Sequence, residues 1–457
     1  MYEKQRNKSK TAFISINIIL TAFFLSSCAT RSAAYREIDA AVSYSDFYSA
    51  KNLIAANQSK RFALYNEKNS IALFMDKGLL EFYDGNYEAS TADLQNAERL
   101  IEEAYTKSVT QGFFSYIIND NIKDYPGEDF EDIYINIFNA LNYYNRGSIE
   151  SALVEIRKLT NSSGKLNMLA RRYEYTDPNT GYSMKDAAYR ETGVSQMPDT
   201  KTTRFSNSAL ARFLSVLFYQ AEGNTDAARI EFEHLQAAFS TNRTIYTNPI
   251  PKTIMEIRNS PAGASRLNII SFTGLSPVKE EQKIILPLPF QHPILQIAVF
   301  KLPVLVNRQS GITRIEVIIN GGERFNLELL EDIGAVIKDT YNNRFSNIFL
   351  KTFIRTILKY AAADIAAVET AKNKSELAAL GIAIAARTAA DISEKADIRM
   401  SRYLPDKAYI GGINLEPGTY NVIINYYHHG SIITNEIFND VVVKKNSLNL
   451  LHSVNLK

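Results

Sequence analysis

The sequence predicts an α+β chain of more than one domain: an array of helical pairs first, then a β-sandwich-like part that carries an inserted helical hairpin. Three observations predict it. From Tyr35 to about Phe239 apolar residues recur at three- and four-residue spacing with Gly or Asn at the breaks, the period of amphipathic helices. Beyond Asn248 the prolines Pro249, Pro251 and Pro261 mark a linker, and the alternation changes to the period of strands. Between Glu331 and about Arg399 the helical period returns. With 457 residues, at about 100 to 200 per domain, the chain holds two or three domains. The expected divisions are 1–27, 28–247 and 248–457, with the helical insertion at about 331–400.

The first 27 residues read as an export signal. A basic start (Lys4, Arg6, Lys8, Lys10) is followed by an apolar run from Thr11 to Leu25. That run is shorter than the roughly 20 residues that span a bilayer. Leu25-Ser26-Ser27-Cys28 resembles the lipobox of bacterial lipoproteins, which implies acylation of the Cys28 thiol, cleavage before it and acylation of the new amino group. Ala29 stands where an inner-membrane retention signal would be acidic, which implies outer-membrane sorting, facing the periplasm. Three acyl chains anchor firmly, since two signals suffice.

Removal of the signal, with four basic residues and one acidic, takes the formal charge from +2 to −1. That balance excludes nucleic acid as an expected partner. Cys28 is the only cysteine, so the mature part has neither a disulfide nor a thiol nucleophile.

Three stretches of the helical half share one pattern: Gly78-Leu79-Leu80-Glu81-Phe82-Tyr83-Asp84-Gly85 leading to Ser90, Leu94 and Ala97; Ala140-Leu141-Asn142-Tyr143-Tyr144-Asn145-Arg146-Gly147 leading to Ala152, Ile156 and Leu159; and Phe218-Tyr219-Gln220-Ala221-Glu222-Gly223 leading to Ala228, Phe232 and Leu235. Each has an aromatic pair, a glycine turn, a small residue five positions later and apolar residues four and seven beyond that. The pattern resembles the tetratricopeptide repeat, in which the small residue lets paired helices approach. The spacing departs from it: the turn glycines are 62 and 76 residues apart, against a period of 34, so the units are degenerate and separated by insertions. Tyr83, Tyr87, Tyr143, Tyr144 and Tyr219, with Glu128 and Asp129, are the candidate partner-binding residues. Tyr125-Pro126-Gly127-Glu128-Asp129-Phe130-Glu131 opens the helix of the second unit. Its carboxylates suit either a helix N-terminus or a chelating or catalytic cluster, and capping is the preferred reading. The polar segment from Ser162 to Arg204, with a turn at Asp177-Pro178-Asn179-Thr180-Gly181, is expected to be a long excursion.

In the second half, candidate strands are Leu267 to Phe272, Lys283 to Leu288, Leu295 to Phe300 and Arg314 to Ile319. Asn320-Gly321-Gly322 signals a hairpin turn, with a return from Arg324 to Leu329. Strand signals resume at Tyr409, at Tyr420 to Tyr426 and at Val441 to Val443. Alternation over Tyr420 to Tyr426 separates apolar side chains from Asn421 and Asn425, as in a sheet with one solvated face. The insertion reads as two long helices. The first carries the stripe Phe345, Ile348, Phe349, Phe353, Ile357 and Ala361, and the second an apolar stretch from Leu377 to Ala386 that is too short to cross about 30 Å of hydrocarbon.

Taken together, the chain resembles a family of uncharacterised bacterial envelope lipoproteins that join a tetratricopeptide-like half to a β-rich half. The resemblance is carried by Gly78 to Ser90, Tyr125 to Glu131 with Ala140 to Tyr143, Ile285 to Pro289, Lys359 to Ala363, Ala396 to Arg399 with Tyr403 to Pro405, and Leu415 to Tyr420. It implies the architecture and an envelope setting, and no activity.

No Gly-x-Ser-x-Gly elbow, phosphate-binding glycine loop or His-Glu-x-x-His is present. Adjacent His428 and His429 belong to a strand or its turn, where they point apart. No metal or cofactor is expected. The expected function is a lipid-anchored envelope scaffold that binds other envelope proteins through the helical half, in cell-envelope or peptidoglycan assembly, and not an enzyme. The alternatives are a peptidoglycan-acting enzyme using Glu128, Asp129 and Glu131, and a membrane-active protein acting through the helices of residues 340–400.

Overall fold

A computed structural model describes residues 35–58, 64–109, 123–161, 163–172, 205–259, 265–287, 297–308, 310–373 and 394–457, with four isolated helical positions between 382 and 389. Cys28, the signal segment, most of the expected 162–204 excursion and the expected second helix of the insertion lie outside the described residues. The structure is mixed helix and sheet, as an α+β reading requires. Residues 1–67 and 68–457 form two compact units.

In the first unit, α1 (35–43) and α2 (Phe47–Gln58) are joined by a tight turn, with Ile38, Val42, Ala50 and Ile54 buried. The second unit begins with α3 (Ser70–Tyr83), α4 (Tyr87–Val109), α5 (Asp129–Asn145), α6 (Ile149–Thr160), α7 (Lys165–Arg172), α8 (Ala209–Ala221), α9 (Thr225–Thr241) and α10 (Lys252–Arg258). Pro251, expected in a linker, caps α10, so helix continues past the change of texture. α3 packs on α4, α4 on α5, α5 on α6, α6 on α8 and α8 on α9.

The three glycine turns are one structure repeated. Gly85, Gly147 and Gly223 have φ of 77°, 81° and 78°, a left-handed conformation that costs a residue with Cβ more than it costs glycine. The next amide closes each turn onto the carbonyl five residues back: Asn86 N to Glu81 O at 2.8 Å, Ser148 N to Tyr143 O at 2.9 Å, Asn224 N to Tyr219 O at 2.9 Å. Ser148 and Asn224 then cap the following helix with their side chains. The turn between α1 and α2 has the same form with serine in glycine's place. Ser45 has φ 59°, Asp46 N reaches Ala41 O at 2.9 Å, and the Asp46 carboxylate accepts from Ser49 N. Ala50, Ile54 and Asn57 occupy the same buried offsets as Ala152, Ile156 and Leu159. The sequence reading missed this pair because it keyed on glycine.

The strands are β1 (Arg266–Leu275), β2 (Val278–Pro287), β3 (Ile297–Val306), β4 (Arg314–Ile319), β5 (Glu323–Asn326), β6 (Glu328–Asp332), β7 (Pro405–Asn414), β8 (Gly418–His428), β9 (Ser431–Val443) and β10 (Asn449–Asn455). Between β6 and β7 runs α11 (Ile333–Asn373), then the extended segment 394–404. One sheet has the order β10-β1-β7-β6, another β5-β4-β8-β9, and β2 pairs with β3 alone. The return expected over residues 324–329 is split at Leu327: β5 stays with β4, while β6 joins β7 in the other sheet. Asn320 and Gly321, at φ 46° and 70°, form the expected hairpin turn.

The two four-stranded sheets enclose one core, with Leu267 and Ile269 of β1 against Ile315 and Val317 of β4 and Val422, Ile424 and Tyr426 of β8. The opposite face of β1 meets the helices, where Phe272 lies 5.2 Å from Phe138 of α5, ring to ring. All ten residues of β1 are therefore buried, and helices, first sheet and second sheet form three layers.

Candidate functional site

The acidic stretch 125–131 is the start of α5, and its carboxylates are buried in a polar seam between the helices and the β-rich part. Glu128 is the N-cap residue, and Glu131, three positions on, accepts its backbone N–H at 2.8 Å. Gly127 before it has φ 81°. Helix capping is thus what this spacing does, and tertiary contacts are added to it. Glu128 is paired with Lys279 of β2 and with Arg344 of α11 at 3.0 Å. Asp129 is buried in the first helical turn, where its charge complements the helix dipole.

Segment 394–404 lies across this helix start. Glu131 takes hydrogen bonds from the Tyr125 hydroxyl at 2.7 Å and from the Ser401 amide. Asp76 of α3 accepts the Ser401 hydroxyl at 2.8 Å, the Arg402 amide at 2.7 Å and the Tyr403 amide at 3.3 Å. Tyr83 donates to Tyr403 O at 2.7 Å. Arg399 donates to Lys123 O at 2.8 Å, stands 5.4 Å from the Tyr125 ring centre and pairs with Asp397. The helices therefore hold a strap of the chain's own backbone, with two buried carboxylates satisfying successive amides that would otherwise be orphaned. Three of the stretches behind the family resemblance, at 78–90, 125–131 and 396–405, meet in this seam.

Another buried carboxylate fastens the far side. Glu331 of β6 accepts from Tyr134 at 2.8 Å, Tyr246 at 2.7 Å, Ser208 at 2.9 Å and the Leu210 amide at 3.2 Å, joining α5 and the N-terminus of α8 to the sheet. Burial raises its pKa against these four donors. Burial, then the nearby Glu128 charge, takes Glu131 up to about 7. Glu98 goes the other way: burial opposes its ionisation, yet Lys165 and Lys158 bring it down to about 2.

The candidate tyrosines are placed as follows. Tyr83 meets the strap, Tyr87 lies 3.4 Å from His452 Nε2, and Tyr144 donates to Leu448 O at 3.1 Å while accepting the Leu450 amide at 2.9 Å. All three therefore engage other parts of the same chain, Tyr83 the strap and Tyr87 and Tyr144 the last strand and its approach. Tyr143 accepts from Gln95 at 2.9 Å and Tyr219 from Arg157 at 3.0 Å, both between neighbouring helices. His428 ends β8 and His429, at φ 45°, occupies the turn, but the two rings do not point apart: the left-handed turn residue brings their centres to 4.3 Å. Sequence reasoning missed Asp76, Lys279, Glu331 and Ser401. Asp76 had only a partial signal, being one of two carboxylates, with Glu81, inside the apolar run of α3. Glu331 had none.

Among the described residues no three His, Cys, Asp or Glu side chains gather as a metal site, and no helix is long and apolar enough to cross a membrane. No protein-family model, curated protein or solved structure matches the chain.

Proposed function

We propose that the protein is a lipid-anchored scaffold of the bacterial envelope, held to the outer membrane through acylated Cys28 and presenting a tetratricopeptide-like array fused to a β-sandwich-like body. The observation that carries the array reading is the helix-turn-helix unit, repeated at Gly85, Gly147 and Gly223 with one turn geometry and with consecutive helices packed in series. Such arrays bury their seams pairwise and leave a long lateral surface for a partner. Two four-stranded sheets around one core support the sandwich-like reading. The carboxylates that would serve a hydrolase, Glu128, Asp129 and Glu131, are buried and engaged in the seam, which favours a binding role over an enzymatic one. With Tyr83 turned to the chain's own strap and Tyr87 and Tyr144 to its last strand, the partner surface lies on the outward faces of the helices.

Membrane attachment is tested by Cys28→Ser. Each buried methylene adds about 0.8 kcal/mol of membrane affinity, so wild-type protein fractionates with membranes and carries an added acyl mass. The variant keeps its unprocessed signal segment and gains no acyl mass. Cleaved wild-type protein in the soluble fraction, with an unmodified Cys28, overturns the reading.

A further inference from the structure

The two four-stranded sheets have four edges, and three are closed. The outer edge of β10 meets Tyr144, whose hydroxyl bonds Leu448 O and Leu450 N. β6 is fastened to the N-termini of α8 and α10 through Glu331 and Glu328. β5 has four residues, two of them Glu323 and Arg324. Short, charged or covered edges do not recruit further strands. β9 is neither short nor covered by a described strand. It runs for 13 residues without Lys, Arg or Pro, and among the described residues no strand pairs with its outer edge.

Its three most exposed apolar side chains are evenly spaced. Ile432, Ile437 and Val442 are 55%, 58% and 55% exposed and stand five residues apart. The two register irregularities against β8 fall on either side of Ile437, one at Ile433 and one at Asn439-Asp440. Ile437 also ends a cross-strand ridge on the outer face, opposite Ile423, which is opposite Ile318.

We propose that β9 is a self-association edge: two copies of the chain pair antiparallel through β9 about a two-fold axis at Ile437, making one eight-stranded sheet. Antiparallel pairing in this register sets Ile432 opposite Val442 and Asn435 opposite Asn439. Glu436 falls opposite Phe438 and Asp440 opposite Thr434, so no like charges stand directly opposite one another, a condition an arbitrary partner strand need not satisfy. The ridge Ile318, Ile423, Ile437 continues into its own image across the axis, and each apolar side chain gains a same-face neighbour. An isologous contact of this kind closes at the dimer and does not propagate. The inference is independent of the Cys28 reading.

The full chain carrying Cys28→Ser, in mild detergent, supplies the test, because a cysteine placed in β9 is then the only thiol. Opposed residues of antiparallel strands have Cα atoms about 4.5 to 5.5 Å apart, within disulfide range. Ile437→Cys forms a disulfide-linked dimer under mild oxidation; Ile432→Cys alone does not, whereas Ile432→Cys with Val442→Cys does. Ile437→Lys, an exposed change that leaves the circular dichroism spectrum unaltered, weakens dimerisation at least about tenfold by sedimentation, since two like charges then meet at the axis. A chain that sediments as a monomer at tens of micromolar overturns the proposal. So does a dimer indifferent to Ile437→Lys, or crosslinking at Ile432→Cys as efficient as at Ile437→Cys, which would place another contact or another partner at this edge.

Discussion

Single buried groups set the pH response, and they oppose one another. Glu131 is raised to about 7, so between about pH 4.5 and 7 the folded chain holds a proton there that the unfolded chain has released. Its contribution is present at the acid end of this window and is lost as pH rises. His452, whose ring centre lies 4.8 Å from that of Phe82, is lowered to about 4 by burial. Between about pH 4 and 6.5 the unfolded chain holds the proton, and stability rises with pH. The two slopes cancel in part in the wild-type protein. Urea midpoints measured from pH 4.5 to 6.5 should therefore rise more steeply with pH in Glu131→Gln than in wild type, and less steeply in His452→Phe. The residue scale is also where sequence reasoning was weakest. Asp76 and Glu131 carry ordinary surface side chains by type, and nothing local says that their lone pairs face amides of residues 401–403.

Elements were far more legible. The helix-turn-helix units were readable because a left-handed turn demands glycine, and because a small residue and two apolar ones at fixed offsets fill the seam. At Gly147 an added Cβ meets nothing within 4 Å, so Gly147→Ala should cost only backbone strain, about 1 to 2 kcal/mol. Ser45 already bears that strain. Ser45→Gly should stabilise, by roughly 0.5 kcal/mol, because relief of strain outweighs the greater freedom of the unfolded chain. Opposite signs at equivalent turns, measured by chemical denaturation, check the equivalence. Packing is tighter within a unit: a Cβ at Gly78 would stand 2.7 Å from Leu94 Cγ, which is why α3 carries glycine where α4 crosses it. Strand ends were read less well. β9 extends twelve residues N-terminal to Val443, where alternation is blurred by two irregularities, and β10 was missed because it is short and buries the polar residues Asn449, Ser453 and Asn455.

At the scale of the whole molecule, residues 68–457 form one compact unit in which helices and sheets share the seam of Asp76, Glu128, Glu131 and Glu331. A fragment of residues 28–247 loses Lys279, Ser401, the strap contact of Tyr83 and the strand contact of Tyr144, and it exposes Phe82 and Phe138. Its buried carboxylates are left without their donors, a loss of about 1 to 3 kcal/mol for each orphaned group. Fragments 28–247 and 248–457, expressed separately, should therefore unfold at lower urea than the full chain, or fail to give soluble protein. The full unit should unfold in one transition by both helix and tyrosine signals.

The sequence by itself determined the order of textures, the helix-turn-helix units, the start of α5 and the Asn320-Gly321 hairpin. Each of these depends on neighbours a few residues apart, through backbone conformation, capping or periodicity. Only the tertiary structure decided that β1 is buried on both faces, that β5 and β6 part into different sheets and that the strap 394–404 lies on the helices. It also decided that Tyr83 turns to that strap and Tyr87 and Tyr144 to the last strand. Those features join residues hundreds of positions apart, such as Asp76 with Arg402 and Tyr144 with Leu450. A single sequence shows a buried carboxylate or a tyrosine hydroxyl as it shows an exposed one, because the partner that satisfies it leaves no local trace.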